Sequence, residues 1–209
     1  LVLVVLIAWI RRLSDFGGVH EAVRLIERAA KDASLRIADE PFLGGHPEAE
    51  APPGAATVEA GRFGAVQMID APALQRLAEE FGAEFYVAVR AGAEVHPRAR
   101  LAAFVDDDPD AALDEPQAAR LRACFVIGRE RTFENDPRFG LTALSEIASR
   151  ALSPAVNDPG TAIEVIAAQT RLLAAWSAAA DKAAAAPPRP RLHAPPLPAQ
   201  TLLSDAFRA

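Results

Sequence analysis

Residues 133–176 read FENDPRFGLTALSEIASRALSPAVNDPGTAIEVIAAQTRLLAAW, and the tripeptide Asn-Asp-Pro occurs in them twice, at 135–137 and 157–159, on either side of a Ser153-Pro154 break. Each repeat predicts a helix start. Asp136 and Asp158 can accept hydrogen bonds from the free N–H groups of a first helical turn, and Pro137 and Pro159 stand at the first helical position, where a missing N–H costs nothing. Pro154 ends the first helix one residue earlier, because the residue before a proline is pushed out of the α region. Leu141, Leu144, Ala148, Ala151 and Leu152 form an apolar face on the first helix. The second, from Thr161 to about Ala180, carries one stripe of Ile163, Ile166, Leu173 and Trp176 and another of Val165, Leu172 and Ala179, so burial on several sides is expected. The expectation for residues 133–186 is an antiparallel helical hairpin.

Working outward, residues 57–132 read as a small β-rich unit. Short strands are expected at 57–60, 64–69, 84–90 and 100–105, with one helix, Pro72 to Phe81, between the second and third. The piece VRAGAEVHPRARLAAFV at 89–105 has the cadence of barrel-sandwich or hammerhead modules, although Arg98 stands where such segments often carry Gly. No lysine occupies the turn to carry biotin or lipoate, so cofactor carriage is not implied. The acidic stretch DDDPDAALDE at 106–115 lacks the Gly and terminal Glu of a calcium loop and reads as a solvated turn. A short helix from Pro116 to about Arg122 and an apolar strand-like run, Cys124 to Gly128, then lead through Arg129-Glu130-Arg131-Thr132 to the hairpin.

At the other end, LVLVVLIAWI at 1–10 is followed at once by Arg11-Arg12. Ten apolar residues are about half of the ~20 that a transmembrane helix needs. With Trp9 at an interface and two arginines just beyond, residues 1–13 fit the C-terminal end of a spanning helix whose arginine side is cytoplasmic. A buried strand or core helix is the other reading of so short a run. Residues 16–40 form an amphipathic juxtamembrane helix with apolar Val19, Val23, Ile26, Ala30, Ala33 and Ile37, its opposite face mixing both charge signs. Residues 41–56 are a Pro- and Gly-rich loop. Residues 187–209 are a proline-rich connection followed by the first turns of a helix, so truncation at both ends is expected. The fold class expected is α+β.

Composition narrows the function classes. A 51% hydrophobic content over 209 residues is enough to build a core, and a net charge of −6 argues against nucleic acid, which needs a positive footprint. The single cysteine, Cys124, sits in an apolar run and reads as a buried free thiol. The four histidines, His20, His46, His96 and His193, lack ligand spacing, so neither metal nor cofactor is expected.

The run DPRFGLTALSEIASRALSPAVNDPGTA at 136–162 resembles the signature of a bacterial family of predicted membrane proteins, the domain of unknown function numbered twenty-two fifty-four. The resemblance extends to Gly64-Ala65-Val66-Gln67-Met68-Ile69-Asp70, to Gly92-Ala93-Glu94-Val95 and to Ile127-Gly128-Arg129-Glu130-Arg131-Thr132. Ala65 departs from the family's usual aromatic residue. The resemblance covers about Phe16 to Ala168 and implies an inner-membrane protein whose transmembrane helices precede a soluble part, with the lipid bilayer as a partner. It brings no chemistry with it.

Three functional readings follow. The first is a regulatory, ligand-sensing or assembly module on the cytoplasmic side of the membrane, with homo-oligomerisation left open. The second is a component of a transporter or channel. The third, a membrane-bound hydrolase, is weakest: Ser153 beside Asp158 has no nearby His, and no G-x-S-x-G, H-E-x-x-H or phosphate-binding glycine loop occurs. For a ligand-sensing module the candidate anion site is Arg129, Arg131, Arg150, Asn157 and Asp158, where arginines gather around a helix start. The competing reading makes Asp136 and Asp158 simple caps and the arginines their ion-pair partners.

Overall fold

A computed structural model describes residue 5 and residues 18–47, 50–106, 113–180 and 188–208. The apolar run and arginine pair at the N-terminus, Val5 apart, lie outside the described residues, as do most of the acidic stretch and residues 181–187. Among the described residues the chain is mixed α and β, with six α-helices and two small sheets. None of these helices is long and apolar enough to cross a membrane.

Helix α1 (Val19–Asp39) buries Val23, Ala30, Ala33, Ser34 and Ala38, while Val19 at its start is exposed. It runs into a tight turn, Pro41–Gly44, in which Phe42, Leu43 and Gly44 all have positive φ (57°, 58° and 74°). Two bulky residues in the left-handed region are uncommon. Both side chains pack, partly buried, against the β core, and Arg189 donates to the Leu43 carbonyl at 2.9 Å.

The β-rich unit comprises β1 (Ala56–Glu59), β2 (Gly64–Ile69), α2 (Ala71–Phe81), β3 (Ala83–Val87), β4 (Glu94–Val95), β5 (Arg100–Asp106), α3 (Glu115–Ala123) and β6 (Phe125–Gly128), so β4 is an additional short strand and β3 stops short of the expected residue 90. Asp70 caps α2 by accepting from the Ala73 N–H at 2.9 Å, and Gly82 at φ 70° ends it. Asp114 and Gln117 form a reciprocal capping box on α3. The strands do not close into a barrel, contrary to the barrel or hammerhead expectation. Helix α2 carries the chain from β2 to β3 in a different sheet, so β2 pairs antiparallel with β4 and β6 while β3 pairs with β5. The second sheet has the order β1-β5-β3-β7. Its last member, β7 (Leu192–His193), lies inside the proline-rich segment expected to be a plain connection. Two residues suffice, since Leu192 and His193 pair in parallel with Phe85 and Tyr86 and both are buried.

The helical part consists of α4 (Pro137–Ala151), α5 (Pro159–Ala180) and α6 (Ala199–Ala206), packed with α1 around Val23, Ala30, Leu141, Leu144, Val165, Ala168, Leu172 and Leu202. Helices α1 and α4 approach closely at Gly140, where an added Cβ would lie 2.4 Å from the Ala30 Cβ. Arg171 on α5 grips Glu27 on α1 with two hydrogen bonds of 2.6 and 2.8 Å. Of the two apolar stripes expected to be buried on α5, Val165 and Leu172 are buried and Leu173 and Trp176 pack partly buried against the same core, whereas Ile163 and Ile166 are 67% and 48% exposed, because no described element covers them. Helix α6 makes two turns, and the Phe207 N–H returns to the Leu203 carbonyl. It is pinned to the bundle by Arg138, which holds Asp205 at 2.6 and 3.2 Å, and by Gln169, which donates to the Ala206 carbonyl at 2.5 Å.

Candidate functional site

The five residues singled out for an anion site are not brought together. Arg131 meets Asp136 at the start of α4, whereas Arg150, Asn157 and Asp158 belong to its other end. Fifteen residues at 1.5 Å each separate the two groups by ~20 Å. Arg129 and Arg150 are exposed on the surface. Asn157 takes the left-handed conformation (φ 49°) before α5, and Asp158 accepts from the Thr161 N–H at 3.1 Å and from its hydroxyl at 2.6 Å. Those Thr161 hydrogen bonds pull the Asp158 carboxyl below its ordinary value. Ser153 donates its hydroxyl to the Arg150 carbonyl at 2.7 Å.

Around Asp136 the family-like segments converge. Arg131 donates to Asp136 Oδ2 through Nε at 2.7 Å and Nη2 at 2.6 Å, and its guanidinium lies 4.9 Å from the centre of the Phe139 ring. Asp136 also accepts from the Phe139 N–H at 3.1 Å. Burial raises the Asp136 carboxyl above its ordinary value, and the Arg131 hydrogen bond opposes that rise. Gly92, at φ +86°, passes so close that a Cβ there would lie 2.0 Å from Asp136 Oδ2. Gln67 donates to the Glu130 carbonyl at 2.7 Å, and Asn135 donates to the Gln67 carbonyl at 3.2 Å. These contacts join the strand, the glycine turn and the helix start into one latch. Its charges are matched.

Beside the latch, between the β-rich unit and the helical part, lies a cavity of about 260 Å³. The end of α1 contributes Arg36 and Ile37, the left-handed turn Phe42 and Leu43, the segment after β3 Val89 and Arg90, and the start of α4 Asn135 to Arg138. Arg189, Pro195 and Leu197 come from the segment carrying β7. Apolar walls and four arginines therefore face one space. Two of the arginines are matched: Arg189 lies 2.7 Å from Glu40, and Arg138 holds Asp205.

Arg36 and Arg90 are different. Arg36 donates to the Glu134 carbonyl and Arg90 to the Pro195 carbonyl, and neither meets a carboxylate among the described residues. A guanidinium has five N–H donors, so most of theirs are unused. Arg90 is partly buried, and burial first, then the nearby positive charge of Arg138, pulls its pKa down to about 10. It stays protonated at neutral pH and meets no counter-charge among the described residues. The starts of α2 (Ala71, Pro72) and α4 (Pro137) also border the cavity, but Asp70 and Asp136 already accept from their first turns. Those helix ends add favourable field for an anion more than free donors.

Arg36, Arg90, Arg138 and Arg189 lie far apart in the chain and share no local spacing, so the sequence does not group them. A signal existed only at Arg90, a charge ending the apolar strand-like run FYVAVR. Cys124 is buried, as its apolar context suggested, and burial raises its thiol to about 11.

Curated proteins of Mycobacterium bovis and of two Mycobacterium tuberculosis strains, each named only as an uncharacterized protein, are 62% identical over 40 residues. That match covers 19% of this chain and only 8% of each relative's length. No solved structure matches. The family model described as predicted membrane protein (DUF2254) matches residues 1–209, the whole chain, which therefore belongs to that family.

Proposed function

We propose that this chain is a ligand-sensing module of an inner-membrane protein and that its ligand is an anion held at Arg36 and Arg90. The observation that carries the reading is Arg90, a partly buried cation without a carboxylate partner among the described residues, in a cavity with apolar walls. Burying an unmatched charge is costly, and folds that retain one at a cavity wall do so where a ligand supplies the opposite charge. Membrane attachment rests on the family and on the apolar run before Arg11-Arg12, with the arginine side facing the cytoplasm. Because walls of the cavity come from both the β-rich unit and the helices, an occupant would hold the two together, and an empty cavity would hold them less firmly.

Calorimetric titration with inorganic phosphate tests the reading. Binding should be saturable, should weaken between 50 and 500 mM salt at the solvent-exposed Arg36, and should disappear in Arg90→Ala. Binding that survives Arg90→Ala unchanged, or no binding by the folded chain, overturns it.

A further inference from the structure

The walls around these two guanidinium groups, which meet only backbone carbonyls among the described residues, restrict the class of anion. Resting on the anion-site reading above, we infer that the cavity takes an amphipathic anion: a compact carboxylate or phosphate head on Arg36 and Arg90, carrying an unbranched apolar tail. Ile37, Phe42, Leu43, Ile69, Val89 and Leu197 line the same space as the two arginines. A bare inorganic anion would engage the arginines and leave those side chains against water. The volume of about 260 Å³ exceeds what a bare inorganic anion fills and leaves room for a tail of medium length, such as that of octanoate. Arg36 and Glu40 are exposed and mark the mouth. Phe42 and Leu43 reach the cavity from a left-handed turn, a backbone state that bulky residues keep where surrounding structure fixes it, as ligand clamps do. The planar forks of two arginines suit a carboxylate or phosphate bidentately.

The test is calorimetric titration of the 209-residue chain with butanoate, hexanoate, octanoate and dodecanoate, beside octan-1-ol and inorganic phosphate. Affinity should rise by up to about fourfold per added methylene to octanoate, then level off at dodecanoate as the tail outgrows the cavity. Octan-1-ol should bind at least about tenfold more weakly than octanoate, having no charge for the arginines. Arg36→Ala, at an exposed position, should weaken octanoate by about tenfold without affecting folding, and Arg90→Met should do the same. Saturable octanoate binding in free solution assigns a free acid as the source of the head group. Binding only to phosphatidylglycerol vesicles, lost in Arg36→Ala, assigns a lipid head group. Octanoate binding no tighter than phosphate, with both lost in Arg90→Met, overturns the amphipathic inference and leaves the anion site standing. A folded chain that binds no anion takes both readings down.

Discussion

Replacing Gly92 with alanine would place a methyl group 2.0 Å from Asp136 Oδ2 and 2.5 Å from its Cγ, in a backbone at φ +86°. Two costs add. Holding a non-glycine residue in left-handed backbone costs roughly 1–2 kcal/mol. The second comes from displacing Asp136, whose carboxylate is buried with Arg131 at 2.6 Å and caps α4 through Phe139. Moving it off those partners leaves a buried group short of hydrogen bonds, worth about 1–3 kcal/mol. The expected total is about 2–5 kcal/mol, read from urea unfolding midpoints at constant m. A double-mutant cycle separates the parts. In an Asp136→Ala background, Gly92→Ala should cost only the backbone term, so the two substitutions should couple by about 1–3 kcal/mol. Strict additivity would show that Gly92 is required for its backbone alone and that the latch between the glycine turn and α4 does not exist.

Arg90→Met should leave the fold at least as stable, with a gain of about 1 kcal/mol after discounting for partial solvent access, since an unmatched charge is removed; a loss of stability would make Arg90 structural. Gly140→Ala should lower the melting temperature, by about 1–3 kcal/mol in stability terms, because its Cβ would push α4 off Ala30 on α1. For Glu27, hydrogen bonding to Arg171 lowers the folded carboxyl below its ordinary 4.5, so its contribution is present above that value and is lost as pH falls through the lowered one. Unfolding midpoints taken from pH 6 to pH 3 should show that loss, and Glu27→Gln should flatten it.

The local rules carried well through the sequence. Asp136-Pro137 and Asp158-Pro159 start α4 and α5 where the repeated tripeptide places them, and Asp70 with Pro72 starts α2, because a cap and an N-terminal proline act within one turn. Sheet partnership was not legible, since it depends on which distant strands meet. Nothing local distinguishes two sheets from a barrel, or marks Leu192-His193 between prolines as a strand beside Phe85. The site was the least legible part. Arg131 pairs with Asp136 five residues on, as the competing ion-pair reading has it, whereas Arg90 and Arg36 become notable only because no carboxylate among the described residues folds against them. The exposed Ile163 and Ile166 show the same limit from the apolar side, since periodicity marks a face but not whether anything covers it.

The most direct measurement of the central claim is anomalous diffraction from crystals soaked in selenate, a heavy anion visible without assumption about ligand identity. A peak is expected within hydrogen-bonding distance of the Arg90 guanidinium, inside the cavity and on the side facing Arg36. An empty cavity, with selenate found only on the exposed Arg129 or Arg150, would contradict it.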